Sequence, residues 1–158
     1  MTPAIAQAKR AGIDFQTHQY THDPNHPSYG EEAAQKLGVD PARVFKTLVI
    51  SLDGRRLAVA VVPVVSKLDL KAAAKALGGK RAVMAEALEV ERSTGYVLGG
   101  VSPLGQKRRL STLIDDSAQA YQTLFVSAGR RGLEIELAPQ DLQRLLDGIF
   151  APLTRSGA

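Results

Sequence analysis

Apolar residues follow two rhythms along this chain. Near the start, Ala4, Ile5 and Ala8 follow Thr2-Pro3 at helical spacing, with a hydroxyl cap, a proline in the first turn and Gly12 as a stop. Over 13–20 the period drops to two: Ile13, Phe15 and Thr17 alternate with Asp14, Gln16 and His18, which predicts a half-buried strand. Asp23-Pro24-Asn25-His26-Pro27 breaks both rhythms, because its prolines remove donors and restrict the residues before them. From 29 to 37 a short helix is predicted, with Glu31 and Glu32 in its first turn and Gly38 behind it.

Two β-branched runs, 43–52 and 55–63, meet at Asp53-Gly54, a strong hairpin signal. Beyond them the pattern predicts a helix over 66–77 opening on Ser66 and a short helix over 84–90. An irregular glycine-rich stretch follows over 95–105, then strands at 109–114, 123–127 and 133–137. A closing helix is predicted over 139–150, with Leu142, Leu145, Leu146 and Ile149 on one face. There is no repeat or linker, and 158 residues suit one domain. The mixed order predicts an α+β fold: a single domain, 1–158, with a mixed, largely antiparallel sheet flanked by helices.

Composition narrows the function classes. No apolar run approaches the ~20 residues of a membrane span, and the start has no apolar block that reads as a signal peptide. Without cysteine there is neither disulfide nor protein thiol nucleophile, so a cytoplasmic location is expected. The net charge of +4 is unevenly placed: Arg55-Arg56, Lys80-Arg81, Lys107-Arg108-Arg109 and Arg130-Arg131 are basic groups suited to a polyanion or to solvent. The scarcity of aromatics among them argues against a base-stacking sheet.

The chain lacks a Gly-x-Ser-x-Gly elbow, a phosphate-cradling loop ending in Lys-Ser/Thr, and a cysteine metal site. All three histidines lie between positions 18 and 26, far in sequence from any downstream nucleophile. His18, His22 and His26 have helical metal spacing, with Asp23 between them, but Pro24 and Pro27 break any helix there. No metal or other cofactor is therefore expected.

Lys46 stands out. Alternation puts it on the face of Val44, Leu48 and Ile50, so its ammonium either reaches the rim or sits in a lined pocket. Phe45, Thr47 and Val49 make the other face mostly apolar too, which predicts a central strand. Gly99-Gly100-Val101-Ser102-Pro103-Leu104-Gly105 allows close backbone approach and free N–H groups, which suit a carbonyl gaining negative charge. Along 127–137, Ser127 and a basic pair precede Glu134 and Glu136 on one strand face, either a site wall or a solvated surface.

Taken together, Arg43-Val44-Phe45-Lys46-Thr47-Leu48, Gly99-x-x-x-Pro103, Ser111-Thr112-Leu113-Ile114-Asp115 and the segment 127–137 resemble the signature segments of the YbaK family. These are free-standing Cys-tRNA(Pro) deacylases within the bacterial prolyl-tRNA synthetase editing-domain superfamily. The likeness runs nearly end to end, from Thr2-Pro3-Ala4 onward, and the segments keep their order and spacing. It implies that Lys46 is the essential lysine holding the terminal nucleotide and ester. Gly99, Gly100 and Pro103 would belong to the loop that binds the aminoacyl end. Tyr20, Phe45 and Ser127 would be pocket residues. Glu134 stands where a close relative would carry Asp, keeping the charge with a longer reach.

The resemblance further implies trans-editing of Cys-tRNA(Pro), with Cys-tRNA(Cys) as a second substrate, through attack of the substrate's own thiol on its ester. Lys80, Arg81, Lys107, Arg108, Arg109, Arg130 and Arg131 would engage the tRNA acceptor end, beside a transient complex with prolyl-tRNA synthetase. Two alternatives stay open: a sister deacylase that uses water on Ala-tRNA(Pro), and a non-catalytic tRNA or synthetase accessory module.

Overall fold

The computed structural model describes residues 1–155. Helix α1 (Pro3–Ala11) is capped by the Thr2 side chain and stopped by Gly12 in the left-handed region, as its sequence predicts. Strand β1 (Phe15–Gln19) follows, and then α2 (Tyr29–Leu37), capped by Ser28 and closed by Gly38. Next, β2 (Phe45–Leu52) and β3 (Arg56–Pro63) form an antiparallel hairpin whose turn residues Asp53 and Gly54 have φ of 55° and 64°, the left-handed pair that Asp-Gly tolerates.

After this hairpin come β4 (Lys67–Leu68), α3 (Leu70–Ala76), β5 (Ala82–Met84) and α4 (Ala87–Thr94). The chain then runs through the glycine loop to β6 (Ser111–Asp115), β7 (Leu124–Arg130) and β8 (Leu133–Leu137). It closes with α5 (Pro139–Leu146), β9 (Ile149–Ala151) and β10 (Thr154–Arg155).

Two sheets carry the fold. One has the order β5-β2-β3-β6-β9 and the other β1-β8-β7, while β4 and β10 pair separately. Ladders β3–β6 and β6–β9 are parallel; the remaining strand ladders are antiparallel, so the α+β fold with a mixed, largely antiparallel sheet is observed. Between the sheets lies the main core, built from Phe45, Val49, Val59, Val61, Ile114, Val126 and Ile135 together with Ala4, Ala8 and Leu142 of the helices. The other face of the larger sheet packs Ile50, Ala60 and Val62 against Ala73 and Ala74 of α3. A small third cluster joins Ala33 and Ala34 of α2 to Val44, Val64 and Phe125. There a bridge from Val44 to Phe125 ties the two sheets together.

Three predicted elements differ. The helix predicted over 66–77 begins at Leu70, because Asp69, not Ser66, caps it: its side chain accepts the Ala72 N–H, while Lys67 and Leu68 pair with β10. Met84 belongs to a strand on the edge of β2, and the helix predicted over 84–90 starts three residues later. The closing helix stops at Leu146, since Asp147 turns left-handed at φ 52° and frees Ile149 and Phe150 to pair with Leu113 and Ile114. A parallel sheet edge that needed one more strand overrides the helical spacing of Ile149.

Candidate functional site

A cavity of about 480 Å³ opens where the first half of β2 faces the smaller sheet. It falls within the usual size of small-ligand sites. Phe45, Lys46, Thr47 and Leu48 form one wall, and Tyr20, Ser127 and Glu134 another. Residues 27–30 at the start of α2 and Leu98, Gly99 and Val101 of the glycine loop form the rim. The structure therefore brings together Tyr20, Phe45, Lys46, Gly99, Ser127 and Glu134, residues spread over more than a hundred positions of sequence.

Strand β2 is interior, between β3 and β5, as its two apolar faces predict. Its β5 partner covers only Ile50 to Leu52, so beside Lys46 the strand edge is open to the cavity. The Lys46 ammonium has neither an ion pair nor a hydrogen bond among the described residues. Burial lowers its pKa, and Glu31 partly offsets this. Among the described residues no carboxylate lies within ion-pair distance of it, which leaves the cation open to an incoming anion. Thr47 adds a buried hydroxyl with no partner on the same wall.

Ser127 and Glu134 stand directly opposite each other in the β7–β8 ladder. Immediately after Ser127 the register shifts at a bulge, and the Ser127 hydroxyl accepts the Gly129 N–H. Bulges re-aim side chains in this way. Glu134 and Glu136 share a strand face, as predicted, yet it is not a solvated face. Glu136 is held by His18 at 2.9 Å, by Thr123 and by Arg43 at 3.4 Å. Glu134, only 6% exposed, has no such partner among the described residues, and burial pushes its pKa up to about 8. Tyr20 is half-buried, and its pKa is raised by burial and then by the nearby Glu134.

The two glycines of the loop do different work. Val97, Leu98, Gly99 and Gly100 form a turn closed by the Gly100 N–H on the Val97 carbonyl at 3.0 Å, with Gly99 at φ 92°. This is the geometry that demands glycine at the third position. The Gly99 N–H has no acceptor among the described residues, and Gly99 lines the cavity. Gly100 has its N–H occupied, so it is no donor to a ligand; its lack of a side chain lets the loop pack against the backbone of Arg130, 2.7 Å from where a Cβ would lie. Pro103 likewise lies away from the cavity: it is buried beside α1 and lines a groove with Pro3 and Gln7.

The basic residues separate into groups. Arg131 points inward, 3.9 Å over the ring of Tyr29 and 3.3 Å from the buried Glu32, and is no free surface cation. Arg130 is exposed beside the glycine loop. Lys107 is exposed at the far end of that loop. Lys80, Arg81, Arg108 and Arg109 lie on grooves at the hairpin end of the sheet, remote from Lys46. Sequence reasoning missed the apolar and aromatic rim, Tyr29 and Leu98, because nothing in their local pattern reports what α2 and the glycine loop enclose. Among the described residues no group of His, Cys, Asp or Glu could hold a metal ion, and no helix is long and apolar enough to cross a membrane.

Comparison with known proteins adds an independent line. The family model for the aminoacyl-tRNA editing domain matches residues 23–145. EbsC of Enterococcus faecalis, assigned as a Cys-tRNA(Pro)/Cys-tRNA(Cys) deacylase, is 38% identical over 153 residues, covering 97% of this chain and 93% of that protein. YwhH of Bacillus subtilis, of uncharacterised function, is 34% identical over 112 residues, 71% of each. Among solved structures, hypothetical protein APE2540 superposes with a TM-score of 0.85 at 22% identity, covering 97% of this chain and 99% of that one. A protein described as a trans-editing enzyme for prolyl-tRNA synthetase superposes at 0.80 with 23% identity, covering 99% of both chains. At these identities the two structures speak for the fold. The matched span encloses Lys46, the glycine loop and Glu134, and this chain belongs to the aminoacyl-tRNA editing domain family.

Proposed function

We propose that this aminoacyl-tRNA deacylase removes cysteine from mischarged Cys-tRNA(Pro), and from Cys-tRNA(Cys), by letting the substrate's thiol attack its own ester. The observation that carries the reading is Lys46: a partnerless ammonium facing a cavity whose other wall holds the lone carboxyl of Glu134. In this reading Lys46 anchors the phosphate or ribose of the terminal nucleotide. The free Gly99 N–H meets the developing oxyanion, a contribution of roughly 3 kcal/mol in comparable sites. Tyr20, Phe45 and Ser127 shape the space for a small side chain.

The chemistry balances without a protein nucleophile. Sulfur bonds to the carbonyl carbon, the ester carbon–oxygen bond breaks, and the thiol proton ends on the ribose hydroxyl, leaving a thiolactone and free tRNA. Holding sulfur against carbonyl supplies an effective-molarity gain of about 7–11 kcal/mol in favourable cases. A carboxyl whose pKa is pushed to about 8 is mostly protonated at neutral pH, a form able to donate a hydrogen bond to the substrate. Arg130 and Lys107 would meet the RNA near the loop, and the synthetase that makes the error would be a transient partner in the cytoplasm.

The test is turnover of Cys-, Ser- and Ala-charged tRNA(Pro) side by side, with the released product identified. The expected outcome is fast loss of cysteine as thiolactone. Serine or alanine released as fast would overturn the thiol mechanism, and binding without turnover would leave only an accessory module.

A further inference from the structure

Roughly seven residues of β2 separate Lys46 from Asp53, so the hairpin end of the sheet lies about 23 Å from the cavity at ~3.3 Å per residue. At that end the surface is strongly basic. Arg55, Arg56, Arg108 and Arg109 line one groove. Through Arg55 it continues into a groove bearing Lys80 and Arg81, and through Arg108 and Arg109 into another bearing Arg10. All seven are exposed, and none forms an ion pair among the described residues.

Acidic groups on these grooves are Asp53, Glu89 and, in an adjoining groove, Asp147. The Asp53 carboxylate is already engaged: it accepts the backbone N–H of Lys80 at 3.0 Å and of Arg81 at 2.8 Å, fixing the main chain of these two residues against the hairpin. No aromatic residue lines any of the four grooves. A surface rich in guanidinium and free of stacking platforms fits phosphates of a duplex and not unpaired bases.

We infer that this belt is a second RNA-binding surface, one that grips the phosphates of the acceptor stem while the acylated end reaches the cavity. The inference rests on the deacylase reading for what occupies the cavity. An RNA strand whose last nucleotide lies beside Lys46 covers ~23 Å in about seven stacked nucleotides, or fewer if extended, at ~3.4 Å per phosphate. With the strand stacked, the belt meets the paired part of the arm, contributes affinity and leaves the chemistry to the cavity.

The experiment compares the parent with Arg55→Ala/Arg56→Ala/Arg109→Ala on two substrates: whole Cys-tRNA(Pro) and a cysteinyl ester of the terminal CCA trinucleotide. On whole tRNA the triple variant should lose about tenfold or more in kcat/KM through KM, with unchanged turnover of the trinucleotide ester. Its log–log salt dependence should flatten by about 2–3 in slope. Equal losses on both substrates, or no loss on whole tRNA, would overturn the belt. Affinity for uncharged tRNA, read by fluorescence anisotropy, decides the question even if the parent shows no turnover, an outcome that sinks the deacylase reading instead. Unchanged RNA affinity with weakened binding to prolyl-tRNA synthetase would also overturn the inference, in favour of a protein partner.

Discussion

Arg131, in the turn between β7 and β8, reaches the fully buried Glu32 of α2 with its guanidinium 3.3 Å from the carboxylate. The same group donates to the carbonyls of Asp23 and His26 and covers the Tyr29 ring. One side chain thus fastens α2 and the loop before it, which form the cavity's rim, to the smaller sheet.

Arg131→Ala should be among the most damaging single changes. It leaves Glu32 with Lys36 and the Asp23 N–H as its remaining partners, and loss of a hydrogen bond to a charged group costs about 1.5–3 kcal/mol. Burial raises the Glu32 pKa, but the Asp23 N–H and Arg131 outweigh it, holding the carboxyl below its ordinary value. That stabilisation is present above the unfolded pKa and is lost as pH falls through the folded one. Acid titration of unfolding by circular dichroism should show the loss in the parent and a smaller one in the variant, which keeps the Asp23 N–H and Lys36.

For Lys46→Ala, deacylation of Cys-tRNA should fall by about 100-fold, the scale of losing one positioned electrostatic contact. The melting temperature should hold steady or rise, because a partly buried cation without a partner does not stabilise the fold. Lys46→Arg should recover only part of the rate, since a planar fork is not a point charge. Parent-like turnover in the alanine variant would remove the lysine from the mechanism.

Gly99→Ala and Gly100→Ala should separate activity from stability. At Gly99 the left-handed φ costs an L-residue about 1–2 kcal/mol, and the new methyl meets the Tyr29 ring at 3.0 Å, so activity suffers at modest cost in stability. At Gly100 the methyl meets the Arg130 backbone at 2.7 Å, which cannot yield as a side chain does. That variant should lose more stability than Gly99→Ala in thermal melts.

Glu134 yields a pH prediction with a definite sign. Its folded pKa of about 8 exceeds the ordinary value of 4.5, so the folded state binds the proton more tightly and stability declines as pH rises between the two. Glu134→Gln should abolish that decline and raise stability at pH 8 by ~1 kcal/mol or more, about 2–4 °C in Tm. If the protonated carboxyl donates to the substrate, kcat/KM in the parent should fall above pH 8, and the glutamine variant should lose that inflection.

Local chemistry settles itself in the one-dimensional pattern. Thr2 and Ser28 as caps, Gly12 and Gly38 as stops, and Asp53-Gly54 as a hairpin turn act within a few residues, where backbone sterics and one hydrogen bond decide the outcome. Lys46 could be singled out for the same reason, since a cation on an apolar strand face is a local anomaly.

What the linear pattern could not decide is which surfaces cover which. Ile149 has helical spacing, yet the open edge of β6 claims it as a strand. Glu134 and Glu136 read alike along β8, but one is buried on the cavity wall while His18, Thr123 and Arg43 engage the other. Arg130 and Arg131 are neighbours in the chain; only packing sends one to solvent and the other onto Tyr29. Residue types and turn chemistry therefore settled the caps, the stops, the hairpin and the unusual lysine. Tertiary contact alone settled the burial and pairing of each charge, because desolvation depends on neighbours remote in the chain.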